Sequence, residues 1–284
     1  MLQQTPVARV VPVFAAWLDR WPNPSDLAAD PAGEAVRLWG RLGYPRRALR
    51  LHEAATAISI RHGGGVPDDL DSLRALPGIG EYTAAAVASF AFGQRHAVLD
   101  TNVRRVQARA VSGVAQAGAA LSRAESRLAR ELLPDDPATA ARWGVAVMEL
   151  GALVCQSRAP RCAACPVRDR CAWQRAGAPT HAGPVRPGQS YAGTDRQVRG
   201  LLLEVLRRAD GPVRRTALDM VWSEPVQRQR ALDGLVADGL VEPGNAEEFR
   251  LPGGRSSNRS TTKSPIPRPP SNGFLGGDPV GTSS

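Results

Sequence analysis

Lysine is almost missing from this sequence. Of its 36 basic residues 35 are arginine, and the one lysine, Lys263, stands near the C-terminus. Chemistry through an amine nucleophile, such as Schiff-base formation, is thereby excluded from the main body of the chain. Cysteine is missing everywhere except residues 155–171, which rules out a disulfide framework spread over the fold. No apolar run is long enough to span a bilayer and no signal-peptide pattern is present, so a cytoplasmic chain with no membrane partner is expected. Strand-type alternation is nearly absent as well, which points to an all-α fold.

What is present is basic and large enough to fold. With 284 residues, 43% of them hydrophobic, the chain has room for about two domains. A net charge of +9 and a pI near 10.5 point to a polyanionic partner before anything else. The blander reading is a solvated, arginine-rich surface.

The cysteines stand in CQSRAPRCAACPVRDRC with the spacing C-x6-C-x2-C-x5-C: Cys155, Cys162, Cys165 and Cys171. A short loop holding four thiolates needs something to neutralise them, and metal is the natural reading. Two disulfides are the alternative, disfavoured where thiols are kept reduced. Zinc suits four thiolates, yet its sites usually carry two short C-x-x-C knuckles and this stretch has one. The uneven spacing modestly favours a cubane iron–sulfur cluster. Arg158 and Arg161 lie between the first two cysteines, and Arg168 and Arg170 just before the last. Each suits a phosphate contact, or simple solvation.

Periodicity predicts helices in VARVVPVFAAWLDRW, LRLHEAATAISIRHG, TAAAVASFAF, LSRAESRLARELL and AARWGVAVMELGALV, the last running into Cys155. Residues 1–113 are expected to form one helical domain and 114–175 a cluster-bearing module. Residues 176–195, rich in Gly and Pro, read as a linker. Then RQVRGLLLEVLRRA, RTALDMVW and VQRQRALDGLVADG read as three helices, with LVEP and EFRLPG as a hairpin. Residues 196–252 thus have the order of a small winged-helix module. Residues 253–284 carry too little apolar content to fold and are expected to be disordered.

The stretch LPGIGEYTAAAVASFAFGQRHAVLDTNVRRV, residues 76–106, holds the other chemistry. Gly78 and Gly80 fall between two helices, where glycines permit a tight turn and leave N–H groups at a helix N-terminus to meet a phosphate. Such a hairpin grips backbone without reading sequence; an ordinary packing corner is the alternative. Asp100 opens the next helix, which carries Arg104 and Arg105. It can be a helix cap or a carboxylate that stabilises positive charge on a sugar.

LPGIGEYTA followed by LDTNVRRV, and then MELGALVC with the four-cysteine spacing, resembles the iron–sulfur branch of the helix-hairpin-helix DNA glycosylases. Within it MLQQTPVARVVPVF, RLGYPRRALRLHEAA and Tyr82 are similar to the A/G-specific adenine DNA glycosylases, the MutY family. The resemblance runs from Met1 to about Arg175. It implies a six-helix barrel with a helix-hairpin-helix, a helical module holding a 4Fe–4S cluster, and double-stranded DNA between them with adenine flipped out. The reaction implied is hydrolytic removal of adenine opposite 8-oxoguanine or guanine, by a monomer.

Residue by residue, the resemblance makes Asp100 the carboxylate that stabilises the cationic sugar and Asn102 its support. Tyr82 stands where the endonuclease III relatives carry a Schiff-base lysine, which agrees with the lysine census and implies no lyase activity. Gln4 and Thr5 match residues that probe the base opposite adenine, and Tyr44 an aromatic wedge in the base stack. The family glutamate that protonates the departing adenine precedes its M-L-Q-Q-T segment, where this sequence begins. The expectation is therefore a chain lacking that acid and the helix before it, and Glu34 and Glu53 are not substitutes. The alternatives are a catalytically impaired DNA-binding protein of the same fold, or an endonuclease III-like glycosylase, which Tyr82 disfavours. The larger members' Nudix-like domain has no counterpart in the short residues 196–252.

Overall fold

The computed structural model describes residues 1–2, 5–180, 191–245 and 247–254. Gln4, half of the expected linker and nearly all of the expected tail lie outside the described residues.

Helix α1 (Val7–Arg20) buries Val10 and Trp17 and leaves Val7, Val11, Phe14 and Leu18 on an exposed stripe one to two turns apart. Two short helices that periodicity did not reveal follow, α2 (Pro24–Ala29) and α3 (Ala32–Trp39). Asn23 caps α2 by accepting from the Asp26 amide at 3.2 Å, and Pro24 suits its first turn. Helix α4 (Arg46–Arg61) packs across α2 and α3. Trp17 meets Trp21 and Trp39 edge-on, at 5.0 and 5.8 Å between centroids, which concentrates much of the sequence's scarce aromatic surface at one point.

Helices α5 (Leu70–Arg74) and α6 (Glu81–Phe90) form the expected hairpin. Its floor is a second core in which Ala54, Ala57 and Ile58 of α4 meet Leu73, Leu76, Ala84 and Ala88. Alanines there let the helices approach closely. Gly78 makes the turn at φ +74°, and a Cβ on it would lie 2.6 Å from the Cβ of Arg50, so conformation and space both require glycine.

Helix α7 (Thr101–Ala110), α8 (Arg123–Glu131, with a Ser122/Glu125 capping box) and α9 (Pro137–Glu149) follow. A π-helical turn, Leu150–Val154, extends α9 and delivers Cys155. Two 3₁₀ turns and α10 (Ala172–Arg175) complete the cysteine loop.

The C-terminal region runs α11 (Asp195–Arg208), β1 (Val213–Arg214), α12 (Arg215–Asp219), α13 (Pro225–Ala237), β2 (Glu242–Pro243) and β3 (Glu248–Arg250). The strands form one antiparallel sheet in the order β1-β3-β2, with Val213 opposite Phe249 and Glu242 opposite Arg250. This is winged-helix order, including a first strand that the sequence pattern did not reveal. All three strands are short, and the architecture is all-α with this one small sheet.

One core unites α1–α4 with the C-terminal region. Leu202, Leu203, Leu206, Leu232 and Leu235 pack in the same cluster as Trp17, Val36, Trp39 and Ala48. Each such leucine contributes about 1.5–3 kcal/mol by leaving water. The Gly33 amide donates to the Pro252 carbonyl at 2.7 Å, and a Cβ at Gly33 would come within 2.6 Å of that oxygen. Arg207 donates to the Val36 carbonyl at 3.0 Å and Arg37 to that of Ala209 at 2.9 Å.

Candidate functional site

No side chain caps the N-terminus of α6, and a Cβ at Gly80 would meet nothing within 4 Å. The hairpin therefore presents first-turn amides toward open space, as an anion cradle requires. Tyr82, in the first turn of α6, is half-buried. Burial first, and the negative charge of Asp100 second, push its phenol above the ordinary tyrosine range.

Asp100 caps α7: its Oδ1 accepts the Val103 amide at 2.7 Å. Its Oδ2 accepts from Asn102 Nδ2, also at 2.7 Å. The cap reading and the catalytic reading of this aspartate are thus not exclusive, because capping fixes the carboxylate's orientation. Asn102 is fixed in turn. Arg105 donates to its Oδ1 at 2.7 Å, and to the carbonyls of Gly151 and Cys155 at 2.7 Å each. Gly151 lets the π-helical turn press against α7, since a Cβ there would lie 2.7 Å from the Cβ of Asn102.

One turn further on, Arg109 is 4% exposed. A buried guanidinium must have its donors filled. Arg109 serves the carbonyls of Ala115 at 2.9 Å, Gln156 at 2.7 Å and Ser157 at 3.0 Å, and it reaches Cys155 Sγ at 3.5 Å. Its guanidinium also lies 4.9 Å from the Trp173 ring centroid. Sequence reasoning missed Arg105 and Arg109 as site residues. Their signal was helical spacing, which puts Asn102, Arg105 and Arg109 on one stripe of α7.

Cys155, Cys162, Cys165 and Cys171 line one small cavity together with Arg109, Val154, Arg168, Trp173 and Gln174. All four are free thiols, so the disulfide alternative does not hold. Burial first, and the neighbouring thiols next, raise the pKa of Cys162. Gln174 Nε2 donates to Cys162 Sγ at 3.3 Å. Among the described residues no three His, Cys, Asp or Glu side chains converge closely enough to hold a single metal ion.

The arginines divide by role. Arg158 stands exposed on the loop. Arg161 is exposed but turns back to the Leu153 carbonyl, at 3.1 Å from Nε, and so pins its own loop. Arg104 faces inward to Glu125 at 2.8 Å and to the carbonyls of Gly118 and Ala120. Tyr44 is 48% exposed, at φ +47°, on the turn between α3 and α4. Thr5 is buried, its hydroxyl 3.4 Å from the Leu42 carbonyl beneath that turn. Glu34 pairs with Arg20 and Arg37, and Glu53 with Arg50, so both are surface ion-pair residues.

Residues 1–130 match the model of the HhH-GPD superfamily of base excision DNA repair proteins. The adenine DNA glycosylase of Mycobacterium tuberculosis is 54% identical over 254 residues, 89% of this chain and 83% of that one. The chain belongs to the adenine DNA glycosylases. The human adenine DNA glycosylase is 42% identical over 173 residues, 60% of this chain and 31% of the human one. Among solved structures, a thermostable thymine-DNA glycosylase superposes with a TM-score of 0.54 at 28% identity, covering 62% of this chain and 80% of that one. A trapped endonuclease III–DNA covalent intermediate does so with 0.54 at 25% identity, covering 62% and 81%. The protein is thus a DNA-binding N-glycosylase of the family, and no helix among its described residues is long and apolar enough to cross a membrane.

Proposed function

We propose that the protein removes adenine from DNA in which it is mispaired with 8-oxoguanine or guanine, and that it cleaves no strand itself. The observation that carries this reading is the Asp100 carboxylate, held on both oxygens beside the hairpin and beside a tyrosine instead of an amine.

In this reading the hairpin amides at Gly78 and Gly80 grip the phosphates, Tyr44 enters the base stack, and Gln4 meets the opposite base, while the buried Thr5 supports the Tyr44 turn from beneath. As the C1′–N9 bond lengthens, positive charge grows on the sugar and the fixed Asp100 carboxylate opposes it. Water adds to C1′, its proton is lost, and adenine leaves having gained one. Asn102 keeps Asp100 oriented. With Tyr82 in the neighbouring position, no lysine among the described residues is at hand to capture the abasic aldehyde.

The donor set fits a 4Fe–4S cluster. Four free thiols share one cavity, and a buried cation, Arg109, stands against them. Cys155, Cys162, Cys165 and Cys171 would hold the cluster, which would fix the loop that Arg161 pins and that carries Arg158 against DNA.

Two measurements test the reading. Single-turnover assays on duplexes with adenine opposite 8-oxoguanine, guanine or thymine should release adenine from the first two. Equal rates on all three would overturn the mispair assignment. Anaerobically purified protein should be brown and contain iron and sulfide, whereas stoichiometric zinc without iron would overturn the cluster.

A further inference from the structure

We propose that the C-terminal winged-helix region braces the Tyr44 turn, with Arg196 as the positioning residue for the tyrosine ring. The inference rests on the reading of Tyr44 as a wedge and adds a second element to it.

Winged-helix modules that read DNA do so with a basic recognition helix and wing. This one is electrically balanced, with nine arginines and nine acidic residues between 196 and 252. On α13, the helix in the recognition position, Arg228 is paired to Asp219 at 2.9 Å and Arg230 to Asp195 at 2.7 Å. The strands and turn of the wing carry Glu242, Glu247 and Glu248. Charge therefore argues against an independent DNA reader.

The packing indicates another task. The module's leucines share one core with α1–α4, and two of its polar groups reach the segment around Tyr44. Asp238, at the end of α13, accepts from Arg199 of its own module and pairs with Arg46, two residues beyond Tyr44, at 3.3 Å. Arg196, in the first turn of α11, places its guanidinium 5.5 Å from the Tyr44 ring centroid.

Tyr44 needs such support. It is half-exposed and in the left-handed region, where a side chain is strained and its neighbours must hold it. From within its own domain the turn is anchored beneath by Trp39 Nε1, which donates to the Gly43 carbonyl at 2.9 Å, and by Thr5 on Leu42. Those bonds fix the backbone but not the ring. Arg196 lies over the half-exposed ring, so it sets the angle at which the wedge meets DNA.

The test is a double-mutant cycle on the full chain. The probe is a duplex with 2′-fluoro-2′-deoxyadenosine, which resists excision, opposite 8-oxoguanine, and with 2-aminopurine beside the mispair. Anisotropy reads affinity and aminopurine fluorescence reads unstacking. Arg196→Met should weaken binding about two- to five-fold and reduce unstacking, and Arg196→Lys should restore most of both. In a Tyr44→Leu background Arg196→Met should add nothing further. An equal loss in both backgrounds, or undiminished unstacking in Arg196→Met with a ring present, would overturn the proposal. If Tyr44→Leu alone leaves affinity and unstacking unchanged, the wedge reading fails, and the proposal fails with it by a distinguishable route.

Discussion

Arg105 joins the two halves of the site: its Nε donates to the carbonyl of Cys155, and its second amino group to Asn102 Oδ1, both at 2.7 Å. Asn102 holds Asp100, so the first cysteine and the carboxylate beside the hairpin are ends of one chain of hydrogen bonds. Removing Arg105 leaves both ends under-supported. A charge-assisted hydrogen bond contributes about 1.5–3 kcal/mol, which if expressed in the chemical step is about 10- to 100-fold. Arg105→Met should therefore slow single-turnover adenine release by about that factor and lower visible cluster absorption per chain. Arg105→Lys, which cannot fork to several acceptors, should recover only part. Affinity lost in proportion to rate would mean that Arg105 acts through DNA binding.

Asp100→Asn keeps the shape of the cap but removes the charge. Binding to an uncleavable mispair should be preserved within about two-fold, because the charge is needed only once the sugar turns cationic. Excision should fall by about 10²–10³-fold, as expected for a lost electrostatic stabiliser. If affinity and rate decline together, Asp100 serves as a structural cap alone.

Tyr82 makes a pH-dependent prediction with a definite sign. Its folded pKa is raised, by burial foremost and by Asp100 next. The stability linked to its neutral phenol is complete below the ordinary tyrosine value of about 10 and is lost as pH rises through the higher folded value. Tyrosinate absorbance should show one late-titrating group that disappears in Tyr82→Phe. In Asp100→Asn it should move down only part of the way, since burial remains. Tyr82→Lys should yield a borohydride-trapped adduct on mispaired DNA where the parent yields none.

Two glycines should separate stability from binding. Gly151→Ala drives a Cβ to within 2.7–2.9 Å of three Asn102 atoms, two of them backbone. Overpacking of that kind costs about 1–3 kcal/mol, so a lowered melting temperature and slower excision are expected together. Gly80→Ala meets no atom within 4 Å and has φ −94°, which alanine accepts. Its melting temperature should hold while its affinity for any duplex falls, because the new methyl group stands where a phosphate would approach. A lowered melting temperature in Gly80→Ala would show that the hairpin is a packing corner.

Local sequence specified the longer helices, the hairpin turn at Gly78 and Gly80, Asp100 at the start of the next helix, and the absence of lysine from residues 1–262. Those features are local: periodicity, φ preference and side-chain chemistry are properties of a few consecutive residues. Four thiols in one short loop were equally plain. Short helices such as α2 and α3 were not, because fewer than three turns give too little period to read. The inward aim of Arg104, Arg105 and Arg109 was also illegible, since an exposed arginine and one buried on carbonyls look alike in sequence. Only the tertiary structure brought residues 196–252 onto α1–α4 and Arg196 onto Tyr44. An amphipathic pattern states that a face must be covered, but the covering surface can lie some 150 residues away, and nothing in the local sequence says where.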